Sequence, residues 1–189
     1  GAGMSTESGL RDFRSKGGLW RDEEVASLAT VDALYHKKEA FVSFYRWRIE
    51  QVLKYEPHMG HRLLAQWEQQ GLIKTVITQN VDDYHERAQS RCVLHLHGTI
   101  GTVHCQQCGQ KKPSKTFLQD TGILCSHCNG YMRPSVVLFG ESLPTDVWQR
   151  AEKASLEADL LLVLGSSLQV SPANQLPLVA KQSGARFVI

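Results

Sequence analysis

The chain is predicted to be an α/β protein: a parallel sheet carrying a smaller inserted domain. Two observations predict the sheet, and a third predicts the insertion. Short β-branched or continuously apolar runs occur at 73–78, 93–96 and 159–164. Stretches of helical periodicity separate them, the pattern of parallel strands buried on both faces. Between the second and third runs lies a polar segment, 101–134, which carries glycines and two cysteine pairs. It is too short to bury a core of its own and needs a staple.

In chain order, the first twenty residues are rich in glycine, serine and charge and read as a loop. From 23 to about 53 the pattern is helical: Val25, Leu28 and Ala29, then Ala33 and Leu34, recur at three- and four-residue spacings. Thr30, with Asp32 close behind, reads as the N-cap of the second helix of this stretch. Phe41, Phe44, Tyr45, Ile49 and Val52 continue the period until Pro57 stops it. A further helix covers 60–70, with Gly71 as its C-cap. Helices at 152–156 and 176–181 supply cover for the sheet, Pro172 falling near the first turn of the latter. The run 160–164 reads as a buried strand by its length, far short of the ~20 residues that cross a bilayer.

Composition excludes some classes. A net charge of +2 on 189 residues gives no broad basic stripe. Lys111, Lys112 and Lys115, with Phe117 nearby, read as a solvated loop rather than a nucleic-acid site. The ends read as interior positions: Gly1-Ala2-Gly3 has no strand before it, and 185–189 looks like a strand that stops without a turn. The expectation is a domain excerpt cut at both ends.

Of five cysteines, four form Cys-x2-Cys-x16-Cys-x2-Cys: Cys105, Cys108, Cys125 and Cys128. Each tight pair aims two sulfurs at one ion, and two pairs complete a tetrahedron. Four thiolates leave no open position for water, so a structural zinc is expected, with His104 and His127 as bystanders. The α/β signals argue for a reducing interior over a disulfide framework, which points to the cytoplasm. Cys92, beside Val93, Leu94 and Leu96, reads as an inert buried thiol.

Three polar loops stand where nucleotide loops stand in such folds. Gly1-Ala2-Gly3-Met4-Ser5 has glycines where backbone must approach phosphate. Gly165-Ser166-Ser167 and Thr78-Gln79-Asn80-Val81-Asp82 each leave the carboxyl end of a strand, where open α/β sheets bind ligands. The three loops are expected to converge on one edge of the sheet.

These blocks carry a resemblance. Gly1-Ala2-Gly3-x-Ser5-x-x-Ser8-Gly9 with Asp12-Phe13-Arg14, then 78–82, His97-Gly98 and the two cysteine pairs are similar to sirtuins. So are Arg133-Pro134-x-Val136-Val137-x-Phe139-Gly140-Glu141 and Gly165-Ser166-Ser167-Leu168-x-Val170-x-Pro172, all in the family's order. The resemblance implies a Rossmann-like large domain, 1–100 and 135–189. It also implies a small domain built from a helical part, 21–56, and a zinc-ribbon part, 101–134. The implied activity is NAD-dependent removal of acyl groups from protein lysines, a transferase reaction that consumes NAD. The acyl oxygen attacks the ribose carbon bearing nicotinamide, nicotinamide leaves, and the acyl group ends on ADP-ribose.

On the matching positions, His97 is the general base for a ribose hydroxyl, suited by an unperturbed pKa of about 6.5. It ends a strand, and Gly98 leaves space beside its ring. His95, two residues back, reads as an ordinary packed histidine. Asn80 and Asp82 position the nicotinamide amide and ribose, and Phe13 covers the reacting centre. Arg14, Asp12, Gln79, Val81 and the loops at Gly1, Ala2, Gly3, Ser5, Gly165, Ser166 and Ser167 complete the expected NAD contacts. Val137, Phe139, Gly140 and Glu141 resemble the edge on which an acylated protein substrate adds as a strand. Tyr45 and Arg48, three apart on one helix face, resemble the pair that binds succinyl and malonyl carboxylates in some sirtuins. Arg11 where the family often has Pro, and Met4 and Val81 where it often has Ile, are departures that leave the chemistry intact. By the same likeness, the family's first strand is expected before Gly1 and further adenosine contacts after Ile189.

Rival readings stand beside this one. A hydride-transferring dehydrogenase wants a six-residue glycine fingerprint and an acidic ribose anchor about 20 residues on, and neither is clear. A non-catalytic zinc-ribbon module leaves His97, Asn80 and Asp82 unexplained. ADP-ribosyl transfer to protein uses the same first step. No membrane site is expected.

Overall fold

A computed structural model describes residues 1–189. The helical stretch after residue 22 resolves into α2 (Glu23–Ser27), α3 (Val31–His36) and α4 (Lys38–Lys54), after a one-turn α1 (Gly3–Thr6). The Asp22 side chain caps α2 by accepting from the Glu24 and Val25 amides. Thr30 caps α3, its hydroxyl accepting the Ala33 N–H at 3.1 Å. On α4 the residues that repeat at helical spacing, Phe41, Phe44, Tyr45, Ile49 and Val52, are the buried ones, and Arg48 is buried with them. α5 (Met59–Gln69) follows, and Gly71 ends it with φ +76°, the left-handed conformation that favours glycine. α1 departs from the expected loop. One turn of four residues has too few positions to show a period, so nothing in the sequence announces it.

The strands depart more. β1 (Val76–Thr78) pairs in parallel with β2 (Val93–His95), bridged by α6 (Tyr84–Arg87). Next come three antiparallel strands in the order β4-β3-β5: β3 (Gly98–Cys105), β4 (Lys111–Pro113) and β5 (Met132–Val136). After α7 (Thr145–Leu156), β6 (Leu160–Leu162) pairs in parallel with β7 (Arg186–Val188), α8 (Leu176–Gln182) lying between them in sequence. The parallel strands therefore form two separate pairs, not one continuous sheet. Nor is β6 buried on both faces: Leu160, Leu162 and Leu164 are 42%, 37% and 41% exposed. An apolar run says that a strand is sticky, but not which of its faces another layer covers. Pro177, not Pro172, sits in the first turn of α8; Pro172 precedes a separate 3-10 turn, Ala173–Gln175. No helix is long and apolar enough to cross a membrane.

The apolar interior divides in two. The larger cluster joins Phe41 and Ile49 of α4 to Ile100 and Val103 of β3, to Met132 of β5 and to Phe117, which is fully buried. The 21–56 and 101–134 segments thus share one core, and the polar cysteine segment buries its few apolar residues against α4. The smaller cluster packs Leu94 and Leu96 against Ala151 of α7 and Leu176 of α8. A large cavity opens where the two meet, with Ile100 and Phe44 on one wall and Trp148 on the other.

Candidate active site

The site begins with the backbone of the loop leaving β1. Four successive carbonyls each receive one donor from the segment 95–100. The Leu96 amide donates to Thr78 O (2.9 Å), His97 Nδ1 to Gln79 O (3.0 Å), His95 Nδ1 to Asn80 O (3.1 Å) and the Ile100 amide to Val81 O (2.7 Å). This ladder straps the loop to the turn between β2 and β3. A carbonyl can only accept, so His97 carries its proton on Nδ1 and leaves Nε2 as a lone pair. Burial lowers the His97 pKa, and the charge of Arg14 lowers it further, against the opposing Gln79 hydrogen bond. Gly98 serves a need other than the one expected: at φ +69° it brings the backbone against Ser135 of β5, where a side chain would strike the carbonyl.

Behind the loop runs a buried chain of polar groups. Asn80 Nδ2 donates to Ser5 Oγ (3.1 Å), and Ser5 Oγ donates to Asp82 Oδ2 (2.8 Å). Burial raises the Asp82 pKa, opposed by the Ser5 hydroxyl. Asn80 faces the cavity, whereas Ser5 and Asp82 stand one layer behind the wall. Their reach to a ligand therefore runs through Asn80.

The Gly1-to-Gly3 stretch and the Gly165 loop meet backbone to backbone. The Gly3 amide donates to Gly165 O at 2.9 Å, and a Cβ on Gly1 would stand 2.6 Å from that same oxygen. The glycines thus let two loops touch, besides leaving room for a phosphate. Gln79 Nε2 donates to Ser166 Oγ (3.3 Å) and ties in the third loop. The expected convergence of three loops is what the structure shows. The cavity they border measures about 1340 Å³, ample for a dinucleotide together with an acyl-lysine side chain. Ala2, Asp12, Phe13, Arg14 and Val81 line it, as do Ser167 and the residues just described.

The opposite wall is the middle of α4 with the segment after β5. Tyr45 and Arg48 both line the cavity. Arg48 is only 5% exposed, yet it forms no ion pair or hydrogen bond with the protein. Its guanidinium lies 5.4 Å from the Phe13 ring and 5.7 Å from that of Trp47. Burial lowers the Arg48 pKa and raises that of the Tyr45 phenol. Val137, Phe139, Gly140 and Glu141 border the same space. The Val137 amide donates to His97 O (2.8 Å), while Phe139 pairs with the chain before α3 through Ala29 O (2.9 Å) and the Val31 amide (3.1 Å).

Away from the cavity, Cys105, Cys108, Cys125 and Cys128 bring their four sulfurs within 4.8 Å of one another. The Cys105–Cys128 and Cys108–Cys125 sulfur pairs are 3.5 and 3.7 Å apart. A tetrahedron with Zn–S of about 2.3 Å has edges of about 3.8 Å, so the cluster fits structural zinc. His104 and His127 are not in it; His104 Nδ1 lies 3.1 Å from Ser135 Oγ instead. Cys92 is half-buried, its sulfur 3.6 Å from Thr75 Oγ1.

The Sir2 family model matches residues 1–172. The chain belongs to the Sir2 family. Among its relatives, "NAD-dependent protein deacetylase 1" of Geobacillus kaustophilus is 59% identical, covering all of this chain and 78% of that one. "NAD-dependent protein deacylase" of Aeropyrum pernix is 43% identical, covering all of this chain and 77% of that one. A Sir2 homologue–NAD complex superposes with a TM-score of 0.90 at 41% identity, covering 98% of this chain and 73% of that one. A Sir2 complex with a deacetylated peptide and 3′-O-acetyl ADP-ribose has a TM-score of 0.89 at 38% identity, covering 99% and 78%.

In this Sir2-family chain, sequence reasoning missed Trp20 altogether and gave Arg133, though part of a matched block, no role at the site. Trp20 stacks on Phe13 with centroids 4.8 Å apart and meets Phe139 edge-on at 5.7 Å, completing an aromatic wall. Only its place after Gly17-Gly18, close behind Phe13, hinted at it. Arg133, also 5% exposed, grips both Glu141 oxygens (2.6 and 2.9 Å) and the Val136 carbonyl (2.6 Å). Glu141 Oε2 in turn accepts the Leu138 amide (2.8 Å). The Glu141 carboxylate is therefore committed to shaping the edge segment. Its pKa is lowered by Arg133 and the Leu138 amide, which outweigh burial.

Proposed function

We propose that this chain removes acyl groups from protein lysines at the expense of NAD, giving nicotinamide and O-acyl-ADP-ribose. The observation that carries the reading is the strapped loop 78–82, which sets Asn80 and the free Nε2 of His97 on one wall of a cavity large enough for both substrates. In the chemistry of the family, His97 takes the proton of a ribose hydroxyl through Nε2. Asn80 offers its Oδ1, which has no protein donor, to the nicotinamide end. Phe13, backed by Trp20, keeps water from the reacting carbon, and Arg14 meets the polar parts of the dinucleotide. Gly1, Ala2 and Gly3, with Gly165, Ser166 and Ser167, border the space for its phosphates and ribose. The peptide adds along Val137, Phe139 and Gly140, whose course Glu141 maintains. The division of labour follows two domains, 1–100 with 135–189 for NAD and 21–56 with 101–134 as the small domain. Zinc closes the ribbon and takes no part in the chemistry. The test is to mix protein, NAD and an acetyl-lysine peptide. Nicotinamide and acetyl-ADP-ribose should appear in equal amounts, whereas ADP-ribose on protein without deacetylation would favour the transferase alternative.

A finer reading is favoured by Arg48. A buried guanidinium without an acceptor is costly, and the faces of Phe13 and Trp47 offset only part of that cost. An acyl chain ending in a carboxylate would supply the missing anion: the guanidinium fork takes it bidentately and the Tyr45 hydroxyl adds a donor. The acyl group is then succinyl or malonyl, with acetyl still accepted. Arg48→Met should lower kcat/KM on a succinyl-lysine peptide ~10-fold or more, using about 1.5–3 kcal/mol for a hydrogen bond to charge, and should spare the acetyl peptide. Equal losses on both would make Arg48 structural.

A further inference from the structure

The sequence offered His95 as an ordinary packed histidine, but its two ring nitrogens point elsewhere. Nδ1 lies 3.1 Å from the backbone oxygen of Asn80, and Nε2 lies 2.5 Å from Glu86 Oε1 on α6. Both partners can only accept, so both nitrogens carry protons and the ring is an imidazolium. Its side chain is 14% exposed. Burial alone would lower its pKa, yet the Glu86 carboxylate and the Asn80 carbonyl outweigh burial and hold it above the ordinary value.

Consider what each donor of the ladder does. Leu96 and Ile100 give main-chain amides, which any residue would supply. His97 gives a side-chain donor to Gln79 and keeps Nε2 for the reaction. His95 alone serves the carbonyl of Asn80, the residue whose amide faces the nicotinamide end. The side chain of Asn80 is held from the other direction by Ser5 and Asp82. The Asn80 main-chain amide donates to Thr78 Oγ1 (3.0 Å), so Asn80 is fixed at three points, of which the carbonyl depends wholly on His95.

We infer that His95, oriented by Glu86, is a positioning residue that sets the pose of Asn80 toward NAD. This rests on the role given to Asn80 above. Glu86 restrains the ring by a partly exposed ion pair, and His95 passes that restraint to the carbonyl. Without the imidazole, the Asn80 carbonyl has no donor, and the Asn80–Val81 peptide can tilt between its remaining bonds at the Asn80 amide and Val81 O, letting the Asn80 side chain leave the line it holds.

The experiment compares His95→Asn, His95→Ala, Glu86→Gln and Asn80→Ala with wild type. It measures thermal midpoint, KM for NAD, KM for an acetyl-lysine peptide, and nicotinamide exchange. Asparagine keeps a donor at the Nδ1 position, so His95→Asn should hold KM for NAD within about twofold. His95→Ala should raise it roughly tenfold, on the scale of an unmade buried hydrogen bond. Nicotinamide exchange should slow in parallel while the peptide KM stays put. Glu86→Gln should fall between them. A residue that only packs would lower the midpoint and the active fraction and leave both KM values alone. If alanine and asparagine variants match, or if the KM for NAD does not move in His95→Ala, the inference is overturned. Should His95→Ala fail to fold, Glu86→Gln decides by the same KM. Wild-type kinetics in Asn80→Ala would sink the reading of Asn80 and this inference with it. An inactive wild type would instead indict the proposed activity.

Discussion

The base proposed at His97 has to be uncharged near neutrality to take a proton from a hydroxyl, and its surroundings arrange this. Burial and the charge of Arg14 both disfavour imidazolium. The Gln79 carbonyl fixes the proton on Nδ1 and frees Nε2. Because the pKa is lowered, the neutral form persists to lower pH than in a free imidazole. The acid limb of kcat/KM for NAD should therefore have its midpoint below about 6.5. Arg14→Gln should shift that limb upward as a repelling charge is lost. His97→Ala should cost ~10²- to 10⁴-fold and abolish the limb, measured as a pH profile at saturating peptide. A limb surviving in the alanine variant would mean another group is the base. His97 was legible because it ends an apolar run within a recognisable block. The ladder that holds it was not, because it joins residues some eighteen positions apart through two main-chain amides and two histidine rings, which no local period encodes. Trp20 was hidden because it is a single residue whose partner Phe139 is distant in sequence, and the role of Arg133 because its grip on Glu141 crosses a turn that no period encodes.

At the level of elements, the cysteine segment shows which signals survive in a sequence. The ligand spacing was plain, since two tight turns that aim four sulfurs at one ion leave a fixed pattern. The antiparallel strands around it were not. β4 is three residues long, and β3 changes register between Thr99 and Val103, so the period-two alternation is broken before it can be read. The parallel runs had the opposite fate: their strands exist, and within residues 1–189 Leu160 and Leu162 of β6 are exposed rather than enclosed. The ribbon's dependence on metal carries a prediction. Phe117 and Met132 belong to the same core as Phe41 and Ile49 of α4. Losing the zinc should loosen that shared core and, with it, Tyr45 and Arg48 on the cavity wall. One zinc per chain should be found by metal analysis. A strong chelator, or Cys125→Ala, should lower the thermal midpoint and activity together. A stable, fully active, zinc-free protein would rule the assignment out.

At the scale of the whole molecule, an acid-sensitive point is expected beneath the loops that border the cavity. His61 on α5 is fully buried and neither ring nitrogen has a partner. Its ring centroid lies 4.4 Å from that of His58, 4.9 Å from that of His85 and 5.6 Å from that of Tyr84. His58 Nε2 in turn donates to the Met4 carbonyl of α1 (2.6 Å), so the cluster sits directly under the loop that meets Gly165. Burial, then the neighbouring His85 and His58, push the His61 pKa down to about 3. Burial, with His95 adding to it and Glu86 opposing, brings His85 to about 4. In the unfolded chain both titrate near 6.5. These are depressed groups, so the stability tied to their neutral forms is fully present above about pH 6.5. It is lost as pH falls, because the unfolded chain binds two protons that the native state refuses. The slope flattens only as the native rings charge, near pH 4 for His85 and pH 3 for His61. Denaturant unfolding between pH 7 and 4.5 should therefore show stability dropping by up to about 1.4 kcal/mol per pH unit for each of the two protons. His61→Leu, which leaves nothing to protonate there, should remove one proton from that slope whatever it does to stability at pH 7. An unchanged slope in the variant would mean that the native state admits the proton at His61 after all, and that the pocket opens locally before the molecule unfolds.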